Sequence, residues 1–453
     1  MPRFTDTIAA LATPAGTAAI AMVRITGPDT SRLAKEIGGR TPLPRRARHV
    51  DYRDRSGAVL DDIIAVFFPG PRSYTGEDTL EISCHGNPFI VQQILADLWL
   101  RGCRPAEPGE FTQRAFLNGR MDLSQAEAVM DLIQARSERA LAVANRQLRG
   151  ALGERMNGLI EALLGVLARI EAYIDFPEEG LPAEDRGIVA GEIDRLGRET
   201  ARLLATSHYG EVLRDGIKTV IAGAPNVGKS SLLNRLVGRE RALVSPEPGT
   251  TRDFIEERIV AGPHGLRIID TAGLNPSPAP LERLGMEMTR ERLAEADLLL
   301  LVLDATKPDA APFSEVINRI RPDRTIVVLN KIDLGPPPGT KVAGVSAQAV
   351  VVQCSALTGM GVEELFATII ARANEFQREA GDETIAVGSR HARALTEARE
   401  CLAAAREKMG GEEPVELLAS DLRGALAAFG EIMGKVDNER MLNQLFAAFC
   451  IGK

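Results

Sequence analysis

The octapeptide Gly223-Ala224-Pro225-Asn226-Val227-Gly228-Lys229-Ser230 restricts this chain more than any other feature. It matches G-x-x-x-x-G-K-[ST], with the apolar run Ile217–Ala222 immediately before it and Leu232–Val237, suited to an opening helix, just after. Such a loop works only where a strand hands over to a helix. Its glycines let backbone N–H groups curl around a β-phosphate at the helix N-terminus, Lys229 supplies charge to the β and γ oxygens, and Ser230 offers its hydroxyl to magnesium. Asn226, Val227, Gly228, Lys229, Ser230 and Ser231 are the expected contacts on the phosphate side. Further apolar runs at Leu298–Leu303, Thr325–Leu329 and Val350–Cys354 alternate with helical texture, the pattern of a doubly wound, mostly parallel α/β sheet.

The other nucleotide motifs follow in order. Asp270-Thr271-Ala272-Gly273 ends the run Leu266–Ile269, so a strand would carry Asp270 to the water shell of magnesium and Gly273 to the γ-phosphate. Between it and the phosphate loop lie Ser245-Pro246-Glu247-Pro248-Gly249 and then Thr250 and Thr251, of which Thr251 is the expected second hydroxyl on magnesium. Asn330-Lys331-Ile332-Asp333 stands at another strand end. There the Asp333 carboxylate can accept from both N1–H and the 2-amino group of guanine, whereas adenine offers neither donor. Ser355-Ala356-Leu357, after a further strand, is expected to close over the base through main-chain N–H groups.

Hydrolysis needs something beyond these motifs. Leu274 follows Gly273, where Ras-type GTPases carry the glutamine that orients water. Glu282 lies in the same segment and has two readings: a carboxylate that orients or activates water, directly or through a second water, or a solvated first-turn glutamate of a helix Leu281–Leu293. Asn226 offers a side-chain carbonyl near the phosphates, where a monovalent cation can supply the charge that an arginine finger supplies elsewhere.

At 453 residues the chain exceeds one ordinary core. From Asp6 to about Pro108, β-rich runs (Ala19–Ile25, Ile63–Phe68, Thr79–Cys84) and one helical pattern (Ile90–Leu100) predict an α+β domain. Ser124–Phe176 is helix-forming throughout and proline-free, so one long or two bent helices are expected, followed by a helix over Ile188–Leu213. Helical texture returns after Phe376, at Arg390–Lys408, Val415–Phe429 and Arg440–Phe449, so an all-α domain interrupted by the α/β insert is the simplest organisation. Two separate helical units are the alternative. No apolar run approaches the roughly 20 residues of a membrane span, and no signal-peptide core follows the amino terminus, so a cytoplasmic location is expected. The five cysteines lack metal-ligand spacing. A net charge of −8 opposes broad adhesion to nucleic acid and leaves RNA contact to a local patch such as Arg45-Arg46-Ala47-Arg48, which otherwise reads as a solvated loop.

Over essentially its full length the chain resembles the MnmE (TrmE) tRNA-modification GTPases. The resemblance rests on the phosphate loop, Gly249-Thr250-Thr251-Arg252-Asp253, Asp270-Thr271-Ala272-Gly273-Leu274, Ser73-Tyr74-Thr75-Gly76-Glu77-Asp78 with His85-Gly86, Pro108-Gly109-Glu110-Phe111-Thr112, Arg114-Ala115-Phe116-Leu117-Asn118 and the final Cys450-Ile451-Gly452-Lys453. It implies four segments: an amino-terminal α+β domain for tetrahydrofolate binding and dimerisation (1–118), a first helical part (119–215), the GTPase domain (216–378) and a second helical part (379–453). It implies a homodimer that joins a flavin (FAD)-dependent partner, MnmG (GidA), in a heterotetramer. Together they install an aminomethyl-type group, such as 5-carboxymethylaminomethyl, at C5 of the tRNA wobble uridine. The one-carbon unit comes from 5-formyl- or 5,10-methylenetetrahydrofolate. It further implies potassium-dependent activation, with Asn226, Ser245, Glu247 and Thr250 about the cation, and assigns the water-activating role to Glu282.

The family's folate-binding positions fall on Arg24, Glu81, Arg120 and Lys453. A carboxylate such as Glu81 can accept paired donors from a pterin edge, and arginines suit carbonyl or glutamyl oxygens, although Arg24 and Arg120 also read as a plain surface pair. Cys450 is either a thiolate in the uridine chemistry or a small buried hydrophobe. Asn275-Pro276-Ser277-Pro278-Ala279-Pro280 departs from the charged stretch usual in the family before the glutamate. A ribosome-assembly GTPase switch is the competing function, disfavoured by the acidic total and by flanks that are not a basic RNA-binding module.

Overall fold

The computed structural model describes residues 5–40, 42–175, 183–240, 256–270, 296–308, 322–335, 349–380, 385–409, 414–434, 442 and 445–452. The chain divides into two compact units, Met1–Met130 with Leu152–Gly158 and Phe429–Lys453, and Asp131–Ala151 with Leu159–Ala428.

The first unit is built on a six-stranded sheet. Its elements are β1 (Ile8–Leu11), β2 (Ile20–Thr26), α1 (Thr30–Gly38), β3 (Arg48–Arg53), β4 (Val59–Phe68), β5 (Thr79–His85), α2 (Pro88–Leu100), β6 (Arg104–Pro105) and α3 (Glu110–Leu117). The strand order is β3-β4-β5-β2-β1-β6, antiparallel except for the short β1–β6 pair. Alternation decides the faces. Val23, Ile25, Leu80, Ile82, Ile63 and Phe67 turn inward to meet Leu33 and Ile37 of α1 and Ile94 and Leu98 of α2. The intervening Arg24 and Glu81 fall on the opposite face as directly paired cross-strand neighbours. Helix α2 starts cleanly because Pro88 sits in its first turn and the Asn87 carboxamide accepts from Phe89 N at 2.9 Å. In the arginine cluster at 45–48, Arg45 and Arg48 donate to the carbonyls of Arg72 and Gly38, so two of its three guanidinium groups are committed to backbone.

Helix α3 is fastened by a buried charge network. Arg114 is fully buried and pairs with Asp6 at 2.9 Å, Glu110 at 2.8 Å and Glu77 at 3.2 Å. Arg104 joins the same network through Asp6 and Glu110. Burial works against the Glu110 carboxylate, but bonds from Arg104, the Glu107 N–H and Arg114 outweigh it, so its pKa lies below the ordinary glutamate value. At Glu77 burial prevails over Arg114 and raises the pKa.

The helix-forming stretch after Ser124 is three helices, not one or two: α4 (Leu123–Gln134), α5 (Glu138–Leu148) and α6 (Ala151–Asp175). Two local events cut it. Ser137 is extended, and its hydroxyl caps Ala140 N at 3.2 Å; Gly150 adopts φ +94°, which ends α5. The next helical stretch is likewise two helices, α7 (Ala183–Ala205) and α8 (Ser207–Asp215), parted at Thr206. Helix α7 buries Val189, Ile193, Leu196 and Leu203 along α11 (Ser389–Lys408), which offers Ala394, Leu395, Ala398, Leu402 and Ala405. Helix α12 spans Val415–Met433; of the expected helix at 440–449, Leu442 and residues 445–447 are helical, the chain turns at 448–449, and 440, 441, 443 and 444 lie outside the described residues. Among the described residues no helix is long and apolar enough to cross a membrane.

The second unit holds the inserted sheet: β7 (Ile217–Ala222), β8 (Glu256–Ala261), β9 (His264–Asp270), β10 (Leu298–Asp304), β11 (Thr325–Asn330) and β12 (Val350–Gln353), with α9 (Lys229–Glu240) and α10 (Val362–Ala380). The order is β12-β11-β10-β7-β9-β8, parallel apart from the edge strand β8. Both faces are buried, which is why these strands read as unbroken apolar runs. Ile221, Leu300, Val302, Ile326 and Val328 face α9 and α10, and Val220, Ala222, Leu299, Leu301, Val327 and Leu329 face the other way. Sequence reading did not find β8, because Glu256, Glu257 and Arg258 interrupt it as an edge strand permits.

Replacing Arg114 by Met takes from Glu77 its arginine partner and leaves Asp6 and Glu110 to Arg104 alone. It should cost about 3–5 kcal/mol, the usual penalty for breaking a buried ion pair from one side. The expected readout is earlier urea unfolding of Arg114→Met; an unchanged transition would show the network to be energetically neutral.

Candidate functional site

The parallel strands deliver their loops to one edge of the sheet. Strand β7 ends in the phosphate loop, whose backbone demands its residue types. Gly223 adopts φ +155°, and a Cβ there would lie 2.3 Å from Val302 O; at Gly228, φ +96°, a Cβ would lie 2.3 Å from Asn330 Nδ2. Asn226, exposed at the crest, holds φ +62°, a conformation asparagine tolerates better than most residues. Lys229 opens α9, is buried, and donates from Nζ to Gly223 O at 2.8 Å and Ala224 O at 2.9 Å. Its ammonium thus lies inside the cradle that the glycines leave open. Val227 is buried, and Ser230 and Ser231 are exposed on the first turn of α9.

Asn330, at the end of β11, ties three loops together. It is buried; Nδ2 donates to Val227 O at 2.8 Å, and Oδ1 accepts from Ala356 N at 2.9 Å and from Cys354 Sγ at 3.8 Å. Lys331 follows at φ +69° and reaches Asp304, at the end of β10, at 2.7 Å. That bond holds the Asp304 pKa down to about 2. Ile332 and Asp333 then form a short 3-10 turn that leaves Asp333 exposed. Sequence reading missed Asp304 as part of this site; its signal was an acidic residue at the C-terminal end of a buried parallel strand.

The loop after β12 is more committed than its motif suggested. Ser355 is fully buried, its N–H bonded to Met360 O at 2.8 Å and its Oγ accepting from Thr358 N at 3.1 Å. Gly361 closes the loop at φ +73°, where a Cβ would stand 2.0 Å from Gln353 O. Of the three expected N–H donors, those of Ser355 and Ala356 are spent within the protein. Among the described residues the Leu357 N–H has no partner, and its side chain is 78% exposed. Arg235 of α9 also reaches this loop, a contact invisible in the sequence, donating to Ala356 O at 3.2 Å and Leu357 O at 2.5 Å.

Asp270 ends β9 beside Ile221 of β7, one strand over from the phosphate loop. Its side chain, together with Ser245, Pro246, Glu247, Pro248, Gly249, Thr250, Thr251, Thr271, Ala272, Gly273, Leu274, Glu282 and Lys453, lies outside the described residues. On the first unit Arg24 and Glu81 form a half-buried pair, with Nε and Nη2 of the arginine 3.0 and 2.9 Å from Glu81 Oε1. Arg24 Nη1 also donates to Gly452 O at 3.3 Å, and its guanidinium lies 5.3 Å from the Tyr74 ring centroid and 5.7 Å from that of Phe111. The arginine therefore pairs with Glu81; Arg120 is exposed, its stem along Gly76. Cys450 is exposed, which removes the buried-hydrophobe reading, and its tail is fixed by an Ile451–Pro108 bridge.

Two family models match the chain: the MnmE helical domain over residues 123–450 and the GTP-binding protein TrmE N-terminus over residues 7–120. The tRNA modification GTPase MnmE of Opitutus terrae is 60% identical over 454 residues, covering 100% of both chains. That of Akkermansia muciniphila is 44% identical over 457 residues, covering 99% of both. The G domain of the T. maritima FeoB iron transporter is 27% identical and covers 35% of this chain and 98% of that one, at a TM-score of 0.26. A phosphate-loop motif braced by Asn330 to the loop after β12 at the ends of parallel strands, with full-length identity of this order, leads to one assignment: the chain belongs to the MnmE (TrmE) family of tRNA modification GTPases.

Proposed function

We propose that this GTPase works as a potassium-stimulated homodimer which, with a flavin-dependent partner, uses a tetrahydrofolate one-carbon unit to build an aminomethyl-type group at C5 of the tRNA wobble uridine. The observation that carries the nucleotide half is the Asn330 brace, which holds the phosphate loop and the base loop in one rigid frame. The Arg24–Glu81 pair supports the folate half: a largely buried carboxylate acceptor and guanidinium donor stand side by side, the arginine against two aromatic rings and the carboxy-terminal tail. The names of the relatives support tRNA as the substrate.

In this reading Lys229 would exchange its two carbonyl partners for β and γ oxygens of GTP, and Ser230 and Thr251, with Asp270, would hold magnesium, which would neutralise phosphate charge. Asn226, Ser245, Glu247 and Thr250 would hold potassium, which would supply positive charge beside the phosphates. Glu282 orients the attacking water in place of the missing glutamine. Asp333 accepts from the guanine N1–H and 2-amino group.

Base choice tests the Asp333 assignment. Asp333→Asn should weaken GTP and favour xanthosine triphosphate, whose 2-oxo group accepts from the new amide; unchanged GTP affinity would remove Asp333 from the pocket.

Hydrolysis tests the cation and the water separately. Potassium should raise kcat well above its value in sodium with little change in GTP affinity, and Asn226→Ala should abolish most of that stimulation. Glu282→Ala should lower kcat in both salts, on the order of 100-fold if general-base assistance is what it supplies. An enzyme indifferent to potassium defeats the cation role, and full turnover in Glu282→Ala returns that residue to a solvated helix face.

The folate assignment is tested by calorimetry together with nucleoside analysis. Glu81→Ala should lose 5-formyltetrahydrofolate binding while keeping GTP affinity, and tRNA from cells carrying it should lack the wobble modification. Equal folate binding in both proteins would reduce Glu81 to a partner of Arg24.

A further inference from the structure

Arg235 lies two turns into α9, the helix that begins with Lys229, on a surface where an arginine would ordinarily be solvated. Its guanidinium instead crosses to the base loop and donates to two successive carbonyls, Ala356 O at 3.2 Å and Leu357 O at 2.5 Å. It lies against Gly359, where the φ of +90° calls for glycine and where even a Cβ would meet the guanidinium carbon only in ordinary contact, at 3.6 Å. Ala356 is therefore gripped at both ends of its backbone, its N–H by Asn330 and its C=O by Arg235. The Ala356–Leu357 peptide unit, which carries the Leu357 N–H, is set from the carbonyl side by a charge-assisted bond of the stronger class.

We propose that Arg235 is a positioning residue for guanine recognition, fixing the Ala356–Leu357 peptide so that the Leu357 N–H meets the 6-oxo oxygen of the base. The inference rests on the base-site reading given above. Its reason is a count of donors: with the Ser355 and Ala356 N–H groups already bonded, Leu357 supplies the donor left for an acceptor at position 6. The same geometry ties base to phosphate. Arg235 and Lys229 ride on one helix, so the phosphate end and the base end are linked through α9 as well as through Asn330. A donor held in place before binding costs little ordering when the nucleotide arrives, so loosening it should appear as faster release.

The test compares the full chain with Arg235→Met and Arg235→Lys, using GDP and 2-aminopurine riboside diphosphate, which keeps the 2-amino group but lacks the 6-oxo oxygen. Arg235→Met should speed GDP dissociation roughly 10-fold and raise the KM for GTP in step, the loss falling on KM and not on kcat. With the analogue the same substitution should cost less than about twofold, since the contact it positions is absent. Arg235→Lys, which restores one donor, should recover part of the GDP effect. Wild-type dissociation of GDP from Arg235→Met would overturn the proposal, and so would an equal penalty on both nucleotides, which marks a merely structural arginine. Should Arg235→Met not fold, Arg235→Gln carries the same comparison. Failure of the base site itself reads out differently: Asp333→Asn would then keep its preference for guanine whatever Arg235 does.

Discussion

Asn330 is the residue on which the nucleotide end of the inserted unit depends. A carboxamide has one acceptor and one donor side, and here each is spent on a different loop, Val227 O of the phosphate loop and Ala356 N of the base loop. Asn330 is buried, so losing either partner would leave a buried polar group unmatched. The tolerance is narrow. Gly228 must be glycine because the Asn330 amide nitrogen occupies the place a Cβ would take. Three strand ends, β7, β11 and β12, are thus held in one register by a single side chain.

The first unit solves a different problem, the burial of an arginine. Arg114 loses all contact with water and recovers it through Asp6, Glu77 and Glu110. A fully buried cation survives only with this density of partners. Burial raises the pKa of the Glu77 carboxylate, while bonds from two arginines and a backbone N–H outweigh burial at Glu110 and lower its pKa. The network seats α3, and α3 supplies Phe111, one of the two rings beneath Arg24. The largely buried Arg24–Glu81 pair therefore stands on a foundation that is electrostatic on one side and apolar on the other.

Much of this was legible in the residues. The phosphate loop demanded a strand before it and a helix after it, and β7 and α9 are that strand and helix. The apolar runs at 298–303, 325–329 and 350–354 required a sheet buried on both faces, which is the sheet observed. Helical continuity after Ser124 was overestimated, because propensity averages along a window while a single extended Ser137 and a single left-handed Gly150 break it locally. The edge strand β8 escaped because half of it faces water and carries charge.

The sequence by itself determined the residue types available at each strand end: glycines where the backbone turns tightly, a carboxylate able to accept from two donors, leucine where Ras-type GTPases carry a glutamine. These are properties of residue type and short-range spacing, and a one-dimensional string carries them. What only the tertiary structure decided is which groups are already spent. Asn330 takes the Ala356 N–H, Glu81 takes Arg24, and Arg235 reaches across 121 positions to a carbonyl of the base loop. Hydrogen-bond capacity is finite and is allotted between residues distant in the chain, so it is settled only when the strands lie side by side.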